Sequence, residues 1–286
     1  MEAFQEKGAL SPEFPFDIFI DETAMSFPPH WHENIEMIYV KSGRCKVGLK
    51  DQQYDLKKGD ILLIGSGDIH SFLPRFGDSR KVFIQFGLSF FNDLSNLTND
   101  GRFITPLLSR SHKIEANKAD IIYKKLEEQV LIMLDEFKKK DQAYKLVLQA
   151  RLYDIAAILL RNLPVQEYSL KEKNKQQEQL RRLHPLFDYV ENNYEKDISL
   201  EKAAEIANYS LYHFSRFFKE ATGITFGQYL EHFRIRKAEW RLVNEKSTIT
   251  DIAYQVGFNS SKTFYRVFKK IKGCSPKEFK DSLIIK

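Results

Sequence analysis

Three histidines and a glutamate in the N-terminal third of the chain have the side-chain types and the spacing of a ligand site. His30-x-His32-x3-Glu36 forms one compact group, and His70 follows a glycine-rich stretch at 59–67. Residues of a strand that are separated by even numbers project from one face, so the first three are expected on the same side of a sheet. Imidazole and carboxylate groups suit a divalent transition metal. His30, His32, Glu36 and His70 are therefore candidate metal ligands.

The same residues also fit a pocket that works without a metal. In that case they hydrogen-bond an organic effector, or Glu36 pairs with a residue on a neighbouring strand. Trp31 could stack on a sugar ring at the pocket mouth, or pack in the core or at its solvent edge. Arg44 and Gln85 are weaker pocket candidates, and we expect each of them on the surface. The effector-binding candidates are His30, Trp31, His32, Glu36 and His70.

Short apolar runs separated by turn residues surround this group and predict an all-β unit. The predicted strands include 35–40, 46–49, 61–64 and 82–86. His30-x-His32-x3-Glu36-x6-Gly43 resembles the first sequence motif of cupins, and the stretch that ends at His70 resembles their second. The resemblance implies a small antiparallel β-barrel with a central pocket.

The hydrophobic period changes after residue 116, where apolar residues recur every three or four positions. Two amphipathic helices follow, and their apolar stripes could pack on the barrel, on each other or on a second subunit. Pro164 ends the second helix, and the polar stretch after it lacks periodicity. The expected organisation is a sensing domain over 1–115, a helical dimerisation segment over 116–163, a linker over 164–179 and a DNA-binding domain over 180–286.

One motif occurs twice in the C-terminal part, at 203–229 and at 253–279, with an offset of 50 positions. Each copy has an alanine in a short amphipathic helix, a turn, a serine at an N-cap position and then Phe-x-Arg-x-Phe-Lys. These are the parts of a helix–turn–helix unit. The paired positions include Ala203 with Ala253, Ser210 with Ser260, Phe214 with Phe264, Arg216 with Arg266 and Phe218 with Phe268.

Each copy predicts a scaffold helix followed by a recognition helix, and the recognition helices are expected at 211–221 and 261–271. A single helix over about 229–243 would link the two units. The four phenylalanines of the repeat belong to the buried face, whereas other side chains face outward early in each recognition helix, where base contacts occur. The predicted DNA-contacting residues are Tyr212, Ser215, Arg216, Ser261, Lys262, Thr263 and Arg266. Because the two sets differ, they favour an asymmetric DNA site.

The C-terminal region resembles the DNA-binding domain of AraC/XylS-type transcriptional regulators. The run that carries the resemblance is Ile252-Ala253, Gly257-Phe258, Ser260, Phe264-Tyr265-Arg266-Val267-Phe268-Lys269, Gly273, Ser275-Pro276 and Phe279, together with Arg234-x3-Ala238. The resemblance implies seven helices, two helix–turn–helix units and promoter DNA as a partner. For the N-terminal half it implies a barrel that binds a small effector, commonly a sugar, with or without a metal.

Charge and cysteine content agree with this assignment. Residues 180–286 contain 19 Lys and Arg against 13 Asp and Glu, a balance of +6, whereas the first 179 residues balance at −1. The basic excess therefore lies in the segment with the repeat, as expected for a part that meets a polyanion. Two cysteines are too few for a disulfide framework. No secretion signal or apolar run of membrane-spanning length is visible, so we expect a cytoplasmic protein with no membrane contact.

The fold class expected is α+β and multidomain: a cupin-like antiparallel β-barrel, two helices, and an all-α domain with two helix–turn–helix units. The expected function is an effector-responsive activator of bacterial carbohydrate or related small-molecule metabolism. It would act as a homodimer with RNA polymerase, without catalytic residues and without a required cofactor. Two alternatives stay open. One is a metal-dependent cupin enzyme fused to a DNA-binding domain, and the other is a regulator that responds to a non-sugar signal.

Overall fold

The computed structural model describes residues 10–11, 13–21, 27–49, 52–73, 79–87, 101–103, 107–108, 116–167 and 169–284. The strands are β1 (Phe16–Asp21), β2 (Phe27–His30), β3 (Ile35–Ser42), β4 (Arg44–Leu49), β5 (Gln52–Lys57), β6 (Ile61–Ile64), β7 (His70–Leu73), β8 (Arg80–Phe86), β9 (Gly101–Phe103), β10 (Leu107–Leu108) and β11 (Val165–Glu167). The helices are α1 (Ala116–Lys139), α2 (Tyr144–Asn162), α3 (Leu170–Asn193), α4 (Leu200–Ile206), α5 (Leu211–Thr222), α6 (Phe226–Asn244), α7 (Ile249–Gln255), α8 (Ser261–Lys272) and α9 (Pro276–Ile284).

Two antiparallel sheets face each other in the N-terminal half. One has the strand order β1-β8-β3-β6-β10 and the other β2-β7-β4-β5. Side chains alternate along β3, where Ile38 and Val40 join the core between the sheets while Met37 and Tyr39 join a second core on the outer face. Burial on both faces explains why β3, β6 and β8 read as nearly continuous apolar runs. The expected antiparallel, cupin-like architecture is confirmed.

Helices α1 and α2 cover the outer face of the five-stranded sheet. Their buried stripes form one core with that sheet, so they pack on the barrel and on each other. A hydrogen bond joins α1 to the sheet, because Oε1 of Glu127 accepts from the hydroxyl of Tyr39 on β3 at 2.8 Å. The same oxygen accepts from the hydroxyl of Tyr123 on α1 at 2.9 Å. The amphipathic pattern after residue 116 is therefore explained within one chain.

The structure gives the predicted linker over 164–179 regular secondary structure, which its lack of periodicity did not predict. Strand β11 pairs with β9, and α3 begins at Leu170. Ser169 starts this helix through a capping box, in which its hydroxyl accepts from the backbone N–H of Glu172 and the Glu172 carboxylate accepts from the backbone N–H of Ser169. Lys, Glu and Gln are good helix formers, so this polar stretch can be helical. Because few of its residues are buried, it lacks the apolar period that would distinguish it from a loop in the sequence.

Seven described helices, α3 to α9, make up the C-terminal half, and they enclose two apolar cores. Phe214 and Phe218 lie in the first core, and Phe264 and Phe268 occupy the same places in the second. All four side chains are fully buried, as the repeat predicts. Helix α6 runs through both cores, since it places Phe233 in the first and others, including Leu242, in the second.

The repeat has two registers, which corrects the single offset of 50 positions. The scaffold helices α4 and α7 match at an offset of 49, because the N-cap Ser199 is equivalent to Thr248. The recognition helices α5 and α8 match at 50. Ala204, and not Ala203, is therefore the equivalent of Ala253. The second turn is one residue longer than the first.

This shift explains the asparagine in the first turn. Asn208 and Gly257 are structurally equivalent, and both have left-handed backbone, with φ of 56° and 89°. A Cβ on Gly257 would lie 2.6 Å from the carbonyl oxygen of Tyr194, so only glycine fits there. Asn208 is exposed, and asparagine tolerates the left-handed region better than most residues.

Asn208→Ala should lower the free energy of unfolding by about 1 kcal/mol, because alanine adopts left-handed backbone at a higher cost. Asn208→Gly should cost nothing or stabilise slightly. Chemical denaturation of the purified protein measures both changes. Asn259→Ala is the matched control, since Asn259 is an exposed asparagine in the second turn without positive φ. Equal losses in Asn208→Ala and Asn208→Gly would contradict the backbone argument.

Candidate ligand pocket and nucleic-acid interface

The His/Glu cluster, defined here as His30, His32, Glu36 and His70, lies between the two sheets. His30 ends β2 and pairs directly with His70 at the start of β7. Glu36 belongs to β3 of the opposite sheet, and His32 lies in the connection between them. The four residues converge as expected, but not from one strand face. The chain crosses from one sheet to the other within this motif.

The cluster is compact and buried. One ring nitrogen from each histidine lies within 4.8 Å of the others. Oε2 of Glu36 is 3.3 Å from Nε2 of His32, and its Oε1 is 3.9 Å from Nε2 of His70. Both Glu36 and His70 are only 1% exposed. The site therefore brings three imidazoles and one carboxylate together away from solvent.

The backbone fixes the orientation and the tautomer of all three rings. Each Nδ1 lies 2.9 Å from a main-chain carbonyl oxygen, that of Pro28 for His30, of Asn34 for His32 and of Asp68 for His70. A carbonyl can only accept, so each Nδ1 carries the proton. In a neutral ring Nε2 is then an acceptor, so Nε2 of His32, which lies 3.3 Å from Oε2 of Glu36, bonds that carboxylate only when it also carries a proton. Metal-binding histidines are oriented by the same kind of second hydrogen bond.

The electrostatics of the cluster leave an excess of acceptors. Burial opposes ionisation of Glu36, yet the contact with His32, the positive charge that His70 and His32 carry when protonated, and an amide donor from Gln85 hold the pKa of Glu36 at about 2. Burial and the neighbouring His30 lower the pKa of His70 well below its usual value, so the His70 ring is neutral. Within the described residues, Oε1 of Glu36 and Nε2 of His70 are buried without a hydrogen-bond donor. Such orphaned acceptors are what a bound cation would satisfy.

Gln85 belongs to this site, which corrects the expectation of a surface residue. It stands directly opposite Glu36 in the β3–β8 ladder, and its Nε2 donates to Oε2 of Glu36 at 2.7 Å. The sequence signal was the strand alternation, because Phe83 on the same face of β8 is buried between the sheets. Arg44 is exposed at the start of β4, as expected.

Trp31 lies outside the cluster, although it stands between two of its members. Its side chain packs at the edge of the first C-terminal core, with its ring 5.9 Å from that of His184 on α3. The structure therefore places Trp31 at a contact between the two halves of the chain, and not at the mouth of the pocket.

The recognition helices present their predicted residues differently. On α5, Tyr212 is 77% exposed, and Ser215 and Arg216 are also exposed. Arg216 donates to Glu220 on its own helix at 2.7 Å. On α8, Lys262 and Arg266 are exposed, whereas Ser261 and Thr263 are half-buried. The exposed residues of both helices are accessible to a DNA duplex.

Thr263 has a structural task at the start of α8. Its backbone N–H donates to Oγ of Ser260 at 3.2 Å, and its hydroxyl accepts from the same Oγ. Ser210, the equivalent N-cap of α5, makes no side-chain cap bond. The second recognition helix is therefore fixed at its N-terminus by a contact that the first helix lacks.

None of the described helices is long and apolar enough to cross a membrane.

Two family models match the chain, and together they match more than half of it. The model described as an AraC-like ligand binding domain matches residues 18–116, which hold the His/Glu cluster. The model described as a helix-turn-helix domain matches residues 203–282, which hold both recognition helices.

Relatives of similar length carry both halves. The chain is 26% identical to the HTH-type transcriptional activator RhaS of Mannheimia succiniciproducens, over 95% of this chain and 92% of the relative. It is 24% identical to the uncharacterized HTH-type transcriptional regulator YdeC of Bacillus subtilis, over 88% and 86%. The crystal structure of ToxT from Vibrio cholerae O395, bound to (E)-4-(8-methylnaphthalen-1-yl)but-3-enoic acid, matches 94% of this chain and 98% of that chain, with a TM-score of 0.50 and 16% identity. That likeness shows a shared fold.

Proposed function

This chain belongs to the AraC-type family of transcriptional regulators, and on that basis we propose that it activates genes of carbohydrate or related small-molecule use in response to an effector. The observation that carries the DNA-binding part is the pair of recognition helices on one rigid support. Helix α6 is buried in both C-terminal cores, so it holds the two reading faces at a fixed separation. Such a pair suits successive major grooves of one duplex.

Activation is supported by relatives that are named as transcriptional activators. An activator of this kind has promoter DNA and RNA polymerase as partners and works in the cytoplasm, where both are found. The carbohydrate assignment rests on the family resemblance, and a non-sugar signal is the second candidate. A thermal-shift screen of sugars and other metabolites distinguishes the two, because a ligand that binds only the folded protein raises its melting temperature.

We also infer that the barrel senses a ligand and does not catalyse a reaction. The described residues of the His/Glu cluster are tied to backbone carbonyls and to each other, and the named relatives are regulators. An enzyme would need a group that acts on a substrate beyond the four ligands. Turnover of a sugar or carboxylate by metal-loaded protein would contradict this inference.

A homodimer is the proposed assembly. After α1 and α2 have packed on the barrel, apolar side chains remain exposed on them, including Ile121, Leu131, Leu146 and Tyr153. A second copy would bury these surfaces and bring two DNA-binding domains to one promoter.

Sedimentation equilibrium at micromolar concentration should therefore report a dimer, and a monomer throughout that range would refute the proposal. Leu131→Glu combined with Leu146→Glu should shift the equilibrium to monomer, whereas Leu170→Glu, at an even more exposed leucine outside these helices, should not.

Arg266→Ala should weaken binding to an operator fragment by about 1–3 kcal/mol and remove the preference for operator over scrambled DNA. Arginine binds guanine through two hydrogen bonds, and Arg266 is exposed near the start of α8. An operator fragment selected from random-sequence DNA with the full-length protein provides the probe, and titration by fluorescence anisotropy measures both affinities.

Two variants serve as controls for that measurement. Arg266→Lys keeps the charge but loses the bidentate geometry, so it should lose discrimination while retaining most of its affinity for scrambled DNA. Lys269→Ala removes a charge expected at phosphate, so it should weaken binding to all sequences about equally. Unchanged discrimination in Arg266→Ala would rule out the base-reading role.

We further propose that the His/Glu cluster holds a divalent transition metal ion. The support is the donor set, with three imidazoles whose Nδ1 protons are committed to carbonyls and a carboxylate with one buried oxygen that lacks a donor. The ion would neutralise Glu36 and bind Nε2 of His70, which is buried without a donor among the described residues. In this role it orders the pocket and provides a coordination position for an effector.

Chelator-treated protein should bind one Zn²⁺ or Ni²⁺ per chain, measured by isothermal titration and by elemental analysis after desalting. His32→Ala and Glu36→Gln each remove a ligand. Each should weaken the affinity by at least the roughly tenfold to hundredfold that loss of an outer-shell partner costs. His213→Ala is the control, since His213 is exposed on α5 far from the barrel pocket in sequence. Equal binding by wild type and Glu36→Gln would remove the cluster as the site.

A further inference from the structure

We propose that the backbone carrying the His/Glu cluster also transmits its occupancy to the DNA-binding half, through Trp31, Ile69 and Phe27. The inference rests on the proposed metal site and adds how that site regulates DNA binding. Trp31 and Ile69 alternate with the ligands and pack in the first C-terminal core, whereas Phe27 packs on His30 and contacts Arg236 of α6. The same short segments thus belong to the pocket and to the contact between the two halves.

The first contact comes from residues adjacent to the ligands in sequence. Trp31 lies between His30 and His32, and Ile69 precedes His70. The ring of Trp31 meets His184 edge-on, at 5.9 Å between ring centroids, and Ile69 is buried in the first C-terminal core. Because neighbouring side chains in extended chain point in opposite directions, a ligand that fixes His30, His32 and His70 also fixes these two contacts.

The second contact is between the loop before His70 and helix α3. The backbone N–H of Gly67 donates to the carbonyl of His32 at 2.9 Å, which ties this loop to the segment that carries His32. Gln176 of α3 donates to the carbonyl of Ser66 at 3.4 Å. A Cβ on Gly67 would lie 3.1 Å from Cδ1 of Leu180, so the helix rests closely on the loop.

The third contact connects the cluster to α6 through closely packed, tilted rings. The ring centroid of Phe27 lies 4.1 Å from that of His30, which in turn lies 4.0 Å from that of His70. Phe27 also meets the guanidinium of Arg236 on α6, 3.3 Å from the ring centroid. A cation over an aromatic face is attractive, so the position of Arg236 follows that of Phe27 and hence of the His30 ring.

Helices α3 and α6, which the barrel contacts, also support the recognition helices α5 and α8. Leu183 and Leu186 of α3 belong to the core that holds α5, and Arg182 of α3 donates to the carbonyl of Asn208 in the first turn at 2.8 Å. Helix α6 joins the two helix–turn–helix units. Tyr212 and Arg266 are exposed while these contacts are made, so the docked arrangement leaves both reading faces open. Occupancy of the cluster stabilises this arrangement and thereby tightens operator binding.

Hydrogen exchange and operator titration of the full chain test the proposal, with and without ZnCl2 after chelator treatment. In wild type, Zn²⁺ should slow amide exchange over 176–187 and 232–240 and should tighten operator binding by about fivefold or more, within the usual range of allosteric coupling. The double variant Trp31→Ala/Ile69→Ala should bind Zn²⁺ while both responses fall to less than about twofold. Trp31→Phe/Ile69→Val keeps an aromatic ring and an apolar side chain at the contact and should restore the responses.

His184→Ala is a second, milder variant on an exposed position of α3, and it should reduce the responses without touching the barrel. If the double alanine variant keeps the full wild-type responses, the transmission proposal is overturned and the metal site stands. If wild-type protein binds no Zn²⁺, the metal site and the transmission proposal fail together. Circular dichroism and operator binding in chelator verify that each variant is folded.

Discussion

A carboxylate buried between two apolar sheets has to be compensated by its immediate neighbours, and the N-terminal half is arranged around that requirement. Glu36 is almost inaccessible to solvent, and the amide of Gln85 is a neutral donor that reaches it directly. The imidazoles around it have committed their Nδ1 protons to the backbone. A buried charge costs several kcal/mol only where its neighbours leave it uncompensated, and among the described residues Oε1 of Glu36 and Nε2 of His70 still lack a donor, which indicates a use for the site. The use we assign is ligand capture.

The C-terminal half holds two recognition helices with different exposed residues on one helical scaffold. The buried residues of the two units are nearly interchangeable, since each core has paired phenylalanines at the same helical positions. The exposed residues are not, because Tyr212 and Ser215 stand where the second unit has Lys262 and Tyr265. Core packing fixes helix orientation, and exposed side chains decide sequence preference. Recognition can therefore diverge while the scaffold stays constant.

The parts of this structure that follow from local pattern could be predicted from the sequence. The strands around the cluster, the helices after 116 and the repeated helix–turn–helix units all have a clear hydrophobic period. Helix α3 lacks such a signal, because few of its residues are buried and its start depends on a capping box between Ser169 and Glu172. The convergence of the ligands was predicted, but on the wrong geometry, since His30 and Glu36 belong to opposite sheets.

The positions that sequence reasoning missed depend on contacts between distant segments. The alternation along β8 places Gln85 on the inner face of the sheet, but only the pairing of β8 with β3 brings it opposite Glu36. Trp31 contacts α3 across about 150 residues of chain, so its role could not be read from its position between two ligands. The register change within the repeat was hidden for a simpler reason, because alanines stand at both 203 and 204 and allow either alignment.

Helix α6 also limits how the spacing between the two DNA segments contacted by α5 and α8 could change. Because it is continuous and buried in both cores, each residue added to its middle would advance the second reader by about 1.5 Å and rotate it by about 100° around the helix axis. Small insertions would thus turn one reading face away from the duplex, and the spacing between the two DNA segments cannot drift one base pair at a time. New binding preferences must instead arise by exchanging exposed side chains on α5 and α8. Each such change leaves helix α6, and so the separation of the two recognition helices, unaltered.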